Sequence, residues 1–336
     1  MTMDYYEAVA SQPLNLAESA SAVSRALAAV DLTPWKSGVL AAVSMGASAH
    51  AGHALVHRLA RYGRRVVNLD ASDYLTLGAG ADVADSYLFV SEGGRSRETI
   101  DAARAVAAGA RLALTNVPAA PLGTTVDVVV GLGHGEDSKV YTVGYTATLQ
   151  AFGLLARALD GVDDGDDWTA LPGLVSEVLK TLATDATQVA SALAGVTSLD
   201  VVGPAGSRAS VAEGALLLRE SARIPTATYE TYQYLHGPME CLTPAQGVLL
   251  TGDGREVALA HYLAGVGVRT VLITTTDVAA SENLSVLRLP AVGGALSRAV
   301  LEILPVQLVA GDLARDRGLG IDGFLYHQDD TKYTGA

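Results

Sequence analysis

Three short, continuously apolar runs recur in the same order about 160 residues apart. Residues 39–43 lead into Ser44-Met45-Gly46-Ala47-Ser48, and residues 199–202 lead into Gly203-Pro204-Ala205-Gly206-Ser207. Tyr87-Leu88-Phe89-Val90-Ser91 before Glu92-Gly93-Gly94 matches Gly247-Val248-Leu249-Leu250-Thr251 before Gly252-Asp253-Gly254. Arg111-Leu112-Ala113-Leu114-Thr115 matches Thr270-Val271-Leu272-Ile273-Thr274, and each follows a stretch of helical pattern ending in Gly, residues 99–109 and 256–267. Runs of this length, apolar throughout and bounded by Gly or Ser, are how strands of a parallel sheet read when both faces are buried. The repeated unit is strand, Gly/Ser loop, helix. It predicts an α/β fold of two doubly wound parallel-sheet domains in tandem, flavodoxin-like or Rossmann-like.

The stretches between and around the runs set the expected boundaries. An N-terminal helix is expected over 14–30, ending before Pro34 because a residue preceding proline avoids the α region. The patch Asp160-Gly161-Val162-Asp163-Asp164-Gly165-Asp166-Asp167 separates the copies; its spacing does not fit an EF-hand calcium loop, and it reads as a solvated linker. The chain of 336 residues thus divides into a helical segment 1–34, a first domain 35–160, an acidic linker and connecting helix 161–195, a second domain 196–318 and a tail 319–336.

Composition narrows the chemistry. With 49% hydrophobic and 18% charged residues the chain is built to fold, and no run of 18 apolar residues is present to span a bilayer. A net charge of −13 repels phosphate backbones, so nucleic acid is not the expected partner and any phosphate must be held locally. The lone cysteine, Cys241, and a start without a basic then apolar segment point to the cytoplasm. No CxxC or HExxH spacing occurs. His50, His53 and His57 fall on one helix face, but with no carboxylate cluster in sequence beside them they read as core or solvated surface rather than metal ligands. No metal and no cofactor is called for.

In open α/β sheets ligands bind beyond the carboxyl ends of the strands, where loops enter helices. Here those loops are rich in Ser, Thr and Gly. Hydroxyls, closely approaching backbone and the positive end of a helix can hold a phosphate without Lys or Arg. Ser91-Glu92-Gly93-Gly94-Arg95-Ser96-Arg97-Glu98-Thr99 is the best instance, with Ser48 on the neighbouring loop; helix capping by Ser96 is the plainer alternative. No GxGxxG or Walker pattern is present.

The loop from Ser91 to Thr99 resembles the SxSGxSxET loop of sugar isomerase (SIS) domains. The resemblance extends to Gln12-Pro13, Gly46-Ala47-Ser48, Asn116-Val117-Pro118, residues 136–142, Glu213-Gly214-Ala215-Leu216-Leu217-Leu218-Arg219-Glu220 and His236-Gly237-Pro238, and so covers nearly the whole chain. It is a likeness to the tandem SIS domains of the isomerase half of glucosamine-fructose-6-phosphate aminotransferase and of related phosphosugar isomerases and deaminases. It implies a 6-phosphate held by Ser48, Ser91, Gly93, Ser96 and Thr99, with Gly46, Glu92, Lys139 and Tyr141 against the substrate. It further implies Glu220 as the base moving a proton between C1 and C2, His236 as the ring-opening group, and Lys332 as the candidate for an active-site lysine in the tail. A homodimer with shared sites is implied, His236 reaching across from the partner.

The residues add reasons of their own and some departures. Glu220 should lie in the last turn of a helix ending before Ile224-Pro225, where the negative end of the helix dipole favours the protonated acid, as suits a general base, although Arg223 stands near enough to pair with it. Glu213, seven residues earlier on the same face, is structural in the resemblance and is left out of the catalytic set. Gly93 stands where the family usually has a second serine, and Leu217 where the aminotransferase has lysine. The tail from 322 to 332 is longer than usual, with Phe324-Leu325-Tyr326 in place of Pro-Arg-Asn. No glutaminase segment with an N-terminal cysteine stands in these residues, so glutamine-derived ammonia would need a separate subunit. The expected activity is a phosphosugar aldose–ketose isomerase or amino-sugar-6-phosphate deaminase working through an enediol or enolamine. The alternative is a non-catalytic phosphosugar sensor.

Overall fold

A computed structural model of the chain describes residues 3–78, 81–321 and 323–333. Positions 322 and 334–336 of the expected tail lie outside the described residues. Helix α1 (Tyr5–Ala29) opens the chain, nine residues earlier than the pattern predicts, because Asp4 caps it by accepting from the N–H groups of Tyr6 and Glu7. Pro13 lies inside it and leaves the Val9 carbonyl without its usual helical donor. The side chain of Gln12 supplies one, Nε2 donating to Val9 O at 3.1 Å.

The first sheet comprises β1 (Val39–Ser44), β2 (Arg65–Asp70), β3 (Ser86–Val90), β4 (Arg111–Thr115) and β5 (Val128–Gly131). Between these strands run α2 (Ala47–Arg61), α3 (Ala71–Thr76) and α4 (Arg97–Ala105), and α5 (Val143–Asp160) and α6 (Leu171–Leu193) follow. The second sheet comprises β6 (Leu199–Gly203), β7 (Thr226–Glu230), β8 (Gly247–Thr251), β9 (Arg269–Thr274) and β10 (Leu284–Arg288). Its helices are α7 (Arg208–Ser221), α8 (Thr231–Leu235), α9 (Arg255–Gly265) and α10 (Ala295–Asp316). Every pairing is parallel, and the spatial orders β2-β1-β3-β4-β5 and β7-β6-β8-β9-β10 are the same order run twice. It is the doubly wound order of flavodoxin-like sheets. The registers Leu40↔Ser86 and Leu199↔Gly247 align Ser86, one residue before the run read from sequence, with Gly247.

Strand side chains alternate between faces and so feed different cores. Ala41, Val43 and Phe89 pack under α3 and α4, and Val202, Val248 and Leu250 pack under α8 and α9. The other faces meet. Leu40, Leu88 and Leu112 from the first sheet and Val201, Leu249 and Val271 from the second join one continuous core with α1, α2, α5, α6, α7 and α10. The expected connecting helix is therefore a core element: Val175, Val178, Leu182 and Val189 of α6 are buried in it.

The acidic patch is only in part the solvated linker expected: Asp163 and Asp167 are exposed, but Asp160, Asp164 and Asp166 are drawn into the structure. Arg58 of α2, its side chain 1% exposed, ion-pairs with Asp160 and, at 2.9 Å, with Asp164, both carboxylates nearly sealed from water. Asp166 caps α10 by accepting from the N–H of Ser297 at 2.9 Å. A buried guanidinium is tolerated only with its partners in place, and the partners only with it. Replacing Arg58 by Ala strands two buried carboxylates, and urea unfolding is expected to show a loss of about 3 kcal/mol, against less than about 0.5 kcal/mol for the exposed Arg255→Ala.

Candidate active site

The sheet order reverses between β1 and β3, and at their carboxyl ends lies a cleft of about 450 Å³. Its floor is the β1–α2 loop, Met45 to Ser48, and the β3–α4 loop, from Ser91 through Ser96. One wall is the start of α5, with Tyr145 and Thr148, and the opposite wall is the face of α7 carrying Glu213, Leu216 and Glu220. Thr331 and Lys332 of the tail close it. The first sheet thus provides the loops and the second sheet a helix laid across them.

The β3–α4 loop owes its shape to Gly94, at φ 63, where a Cβ would come within 2.7 Å of the Ala120 side chain. Gly94 N–H donates to Ser91 O, and Ser96 N–H approaches Ser91 Oγ at 3.4 Å. Ser96 is the N-cap residue of α4 yet makes no capping bond, so its hydroxyl is uncommitted to the helix. Thr99, in the first turn, is fully buried, and its Oγ1 has no hydrogen-bond partner among the described residues. At Gly93 a Cβ would meet nothing within 4 Å, so the missing serine is an absence of side chain in open space. Gly46, at φ 56, turns the first loop into α2.

The tail is fixed to this loop by backbone. Ser96 and Lys332 form an antiparallel bridge, Arg97 N–H donates to Thr331 O at 3.1 Å, and Tyr333 N–H donates to Arg95 O at 3.0 Å. Tyr333 lies against the guanidinium groups of Arg97 and Arg104 and donates its hydroxyl to Asp101 at 2.6 Å.

Burial raises three carboxyls that line the cleft, Glu92, Glu213 and Glu220. Glu220 is pushed up from 4.5 to about 7, chiefly by burial, with the charge of Glu213 adding and His50 subtracting. Arg223 does not neutralise it; its Nη2 donates to Gly323 O instead. Glu92 is also raised by burial, against the pull of His134, whose Nε2 is 3.4 Å from Oε1, and with further lowering from Tyr141 and Lys332. Tyr141 is held protonated by its burial and by Glu92.

The cleft thus gathers Gly46, Ser48, Ser91, Glu92, Gly93, Ser96, Tyr141, Glu220 and Lys332. Thr99 lies just behind it in the first turn of α4. Lys139 is exposed and lines an adjoining depression with Tyr141, His134 and Phe324. His236 ends α8 in solvent and is not among the lining residues. Leu217 points into the core, and the cleft-facing neighbour on α7 is Leu216. Sequence reasoning missed Tyr145, Thr148 and the His50–Glu213 pair. Among the described residues no group of three or more His, Cys, Asp or Glu is arranged to hold a metal, and no helix is long and apolar enough to cross a membrane.

The corresponding crevice of the second sheet is filled by the protein itself. Asp253 follows β8 as Glu92 follows β3, and its carboxylate accepts from Thr274 Oγ1, Thr275 N–H and Thr275 Oγ1 and ion-pairs with Arg298 at 2.6 Å. Arg298 in turn binds Glu302, which also accepts from Ser207 Oγ at 2.8 Å. Just before α9, Gly254 N–H donates to Oε2 of Glu256 at 3.2 Å.

No protein-family model matches the chain. In sequence it is similar to the glutamine–fructose-6-phosphate aminotransferases (isomerizing) of Aeropyrum pernix, 28% identical over 85% of this chain and 49% of that protein, and of Pyrobaculum aerophilum, 27% identical over 96% of this chain and 55% of that one. The chain spans about half the length of these curated relatives. In fold it matches the C-terminal domain of glucosamine-fructose-6-phosphate aminotransferase from Francisella tularensis, with a TM-score of 0.84 at 19% identity over 95% of this chain and 97% of that one. It also matches tagatose-6-phosphate ketose/aldose isomerase from Escherichia coli, with a TM-score of 0.78 at 15% identity over 97% and 96% of the two chains. The fold is that of phosphosugar isomerases.

The raised carboxyl leaves a mark on stability. Glu220 is neutral in folded and unfolded chains below about pH 4.5, and above it the unfolded carboxyl ionises while the folded one resists until about 7. The stability of the wild type relative to Glu220→Gln is expected to fall by about 3 kcal/mol as pH rises from 4.5 to 8 and then level off, read from denaturant midpoints.

Proposed function

We propose that this protein is a phosphosugar aldose–ketose isomerase or amino-sugar-6-phosphate deaminase working through an enediol or enolamine. The observation that carries the reading is a single half-buried carboxyl, Glu220, with a proton affinity near neutrality, set across a sugar-sized cleft from the amino end of α4 and its uncommitted hydroxyls. A base must be neutral enough to hold a proton and charged enough to take one at working pH, and a value near 7 meets both demands. In this reading Ser48, Ser91, Ser96 and Thr99, with backbone at Gly93, hold the 6-phosphate. The open-chain sugar then lies across the cleft with C1 and C2 towards Glu220, which takes a proton from one carbon and returns it to the other. Lys332 brings a cation, and an amine, to the same cleft. The similarity to the aminotransferases supports the substrate class.

We also propose a homodimer in which His236 opens the sugar ring in the partner's cleft. What supports this is its exposed place at the end of α8, beside the exposed Tyr232, in a segment from 229 to 242 that carries Glu230 and Glu240 but no Lys or Arg.

A panel of 6-phosphosugars, with ketose formation and ammonia release both followed, tests the activity. Substrates are expected to raise the melting temperature while their unphosphorylated forms do not, and Glu220→Gln is expected to abolish exchange of the C2 proton with binding kept within about tenfold. Wild-type exchange rates in that variant would discard Glu220 as the base. For the shared site, mixed Glu220→Gln and His236→Ala chains should regain about a quarter to a half of wild-type activity after subunit exchange, since each heterodimer keeps one intact site. Verified heterodimers that stay inactive would confine His236 to its own chain.

A further inference from the structure

Behind the cleft stands a pair of groups that the reading above does not use. Glu213 lies two turns before Glu220 on the same face of α7, its side chain 4% exposed, and its Oε2 is 3.0 Å from Nδ1 of His50 on α2. No other hydrogen-bond partner reaches the Glu213 side chain among the described residues. His50 also lines, with His53, Asp70, Arg208 and Glu230, an open groove of about 530 Å³ between the edge strands β2 and β7. The pair therefore spans the wall between that groove and the cleft.

We propose that Glu213, held by His50, is a positioning residue that acts on the chemistry of the cleft through Glu220. The proposal rests on the reading of Glu220 as the base, and its logic is electrostatic. A negative Glu213 opposes ionisation of Glu220, and so helps keep a proton on it until near neutrality. Burial raises the Glu213 carboxyl above its ordinary value, and the Nδ1–H of His50, donating to it, opposes that rise and favours the carboxylate. Other groups line the cleft with Glu220: Glu92 from the β3–α4 loop, Glu98 from the first turn of α4, Tyr141 just before α5, Tyr145 on α5, and Lys332 from the tail. Arg219 and Arg223 on its own helix point their guanidinium groups at the carbonyls of Thr226 and Gly323. Glu213 and His50 are the charged neighbours that act on it most strongly.

Glu213→Gln tests this, because the amide oxygen still accepts from His50 while the charge is gone. The stability difference between Glu213→Gln and Glu213→Gln/Glu220→Gln, followed against pH, reports the titration of Glu220 without any turnover. Its window is expected about one pH unit below that of the wild type and Glu220→Gln pair. The acidic limb of kcat/KM for the 6-phosphosugar that the wild type converts should move down by the same amount, and Glu213→Asp, which keeps the charge, should restore both. Glu213→Met, similar in shape and with no polar atom to satisfy, gives the same stability reading if the glutamine variant does not fold. An unmoved window in the charge-free variants overturns the proposal. If instead the window moves but Glu220→Gln retains proton exchange, the electrostatic link stands and the reading of Glu220 as the base falls, and with it any action of Glu213 on the reaction.

Discussion

A parallel sheet must be covered on both faces, because crossover helices and strand alternation leave neither face polar. This chain meets the demand twice with one shared layer. The inner faces of both sheets pack on α1, α2, α5, α6, α7 and α10, and only the outer faces have helices of their own. Sharing that layer fixes how the halves sit: α7, which belongs by sequence to the second sheet, packs along α2 of the first and lies across the carboxyl ends of β1 and β3. The composition of the cleft is a consequence of this packing. Loops that can hold an anion come from one half and the carboxyl that can move a proton comes from the other.

An acidic protein with four lysines has few cations to place against an anion. It leaves instead a set of neutral donors and one lysine carried in by the tail. Glu220 has no ion-pair partner among the described residues, although Arg219 and Arg223 share its helix region. Had Arg223 been directed at it, the carboxyl would have fallen to ordinary acidity; the guanidinium goes to a carbonyl, which an arginine satisfies without discharging a neighbouring acid.

The three strand pairs visible in the sequence are the six central strands, β1, β3, β4, β6, β8 and β9, each buried enough to read as an apolar run. The four left unread are the edges. β2, β7 and β10 are half open to solvent, so Arg65, Asn68, Thr226 and Arg288 break the pattern that identifies a strand, while β5 is apolar but only four residues long. The acidic patch misled for a different reason: a run of aspartates reads as solvated unless its cation is known, and Arg58 lies about a hundred positions away. In the cleft, the loops and Glu220 could be named because short motifs carry them. Glu213 and His50 were each noticed, one as a structural residue and the other as a discarded metal ligand. Their meaning lies in a contact between α2 and α7 that no local pattern encodes.

The filled crevice of the second sheet bears on how a repeated fold divides labour. Asp253 stands where Glu92 stands in the first sheet, but its carboxylate is engaged by Thr274, Thr275 and Arg298, and Arg298 is held in turn by Glu302. The two ends of the repeated order thus differ in kind: one carboxylate is tied into an ion pair and three hydrogen bonds, while Glu92, at the matching place in the first sheet, lines a cleft.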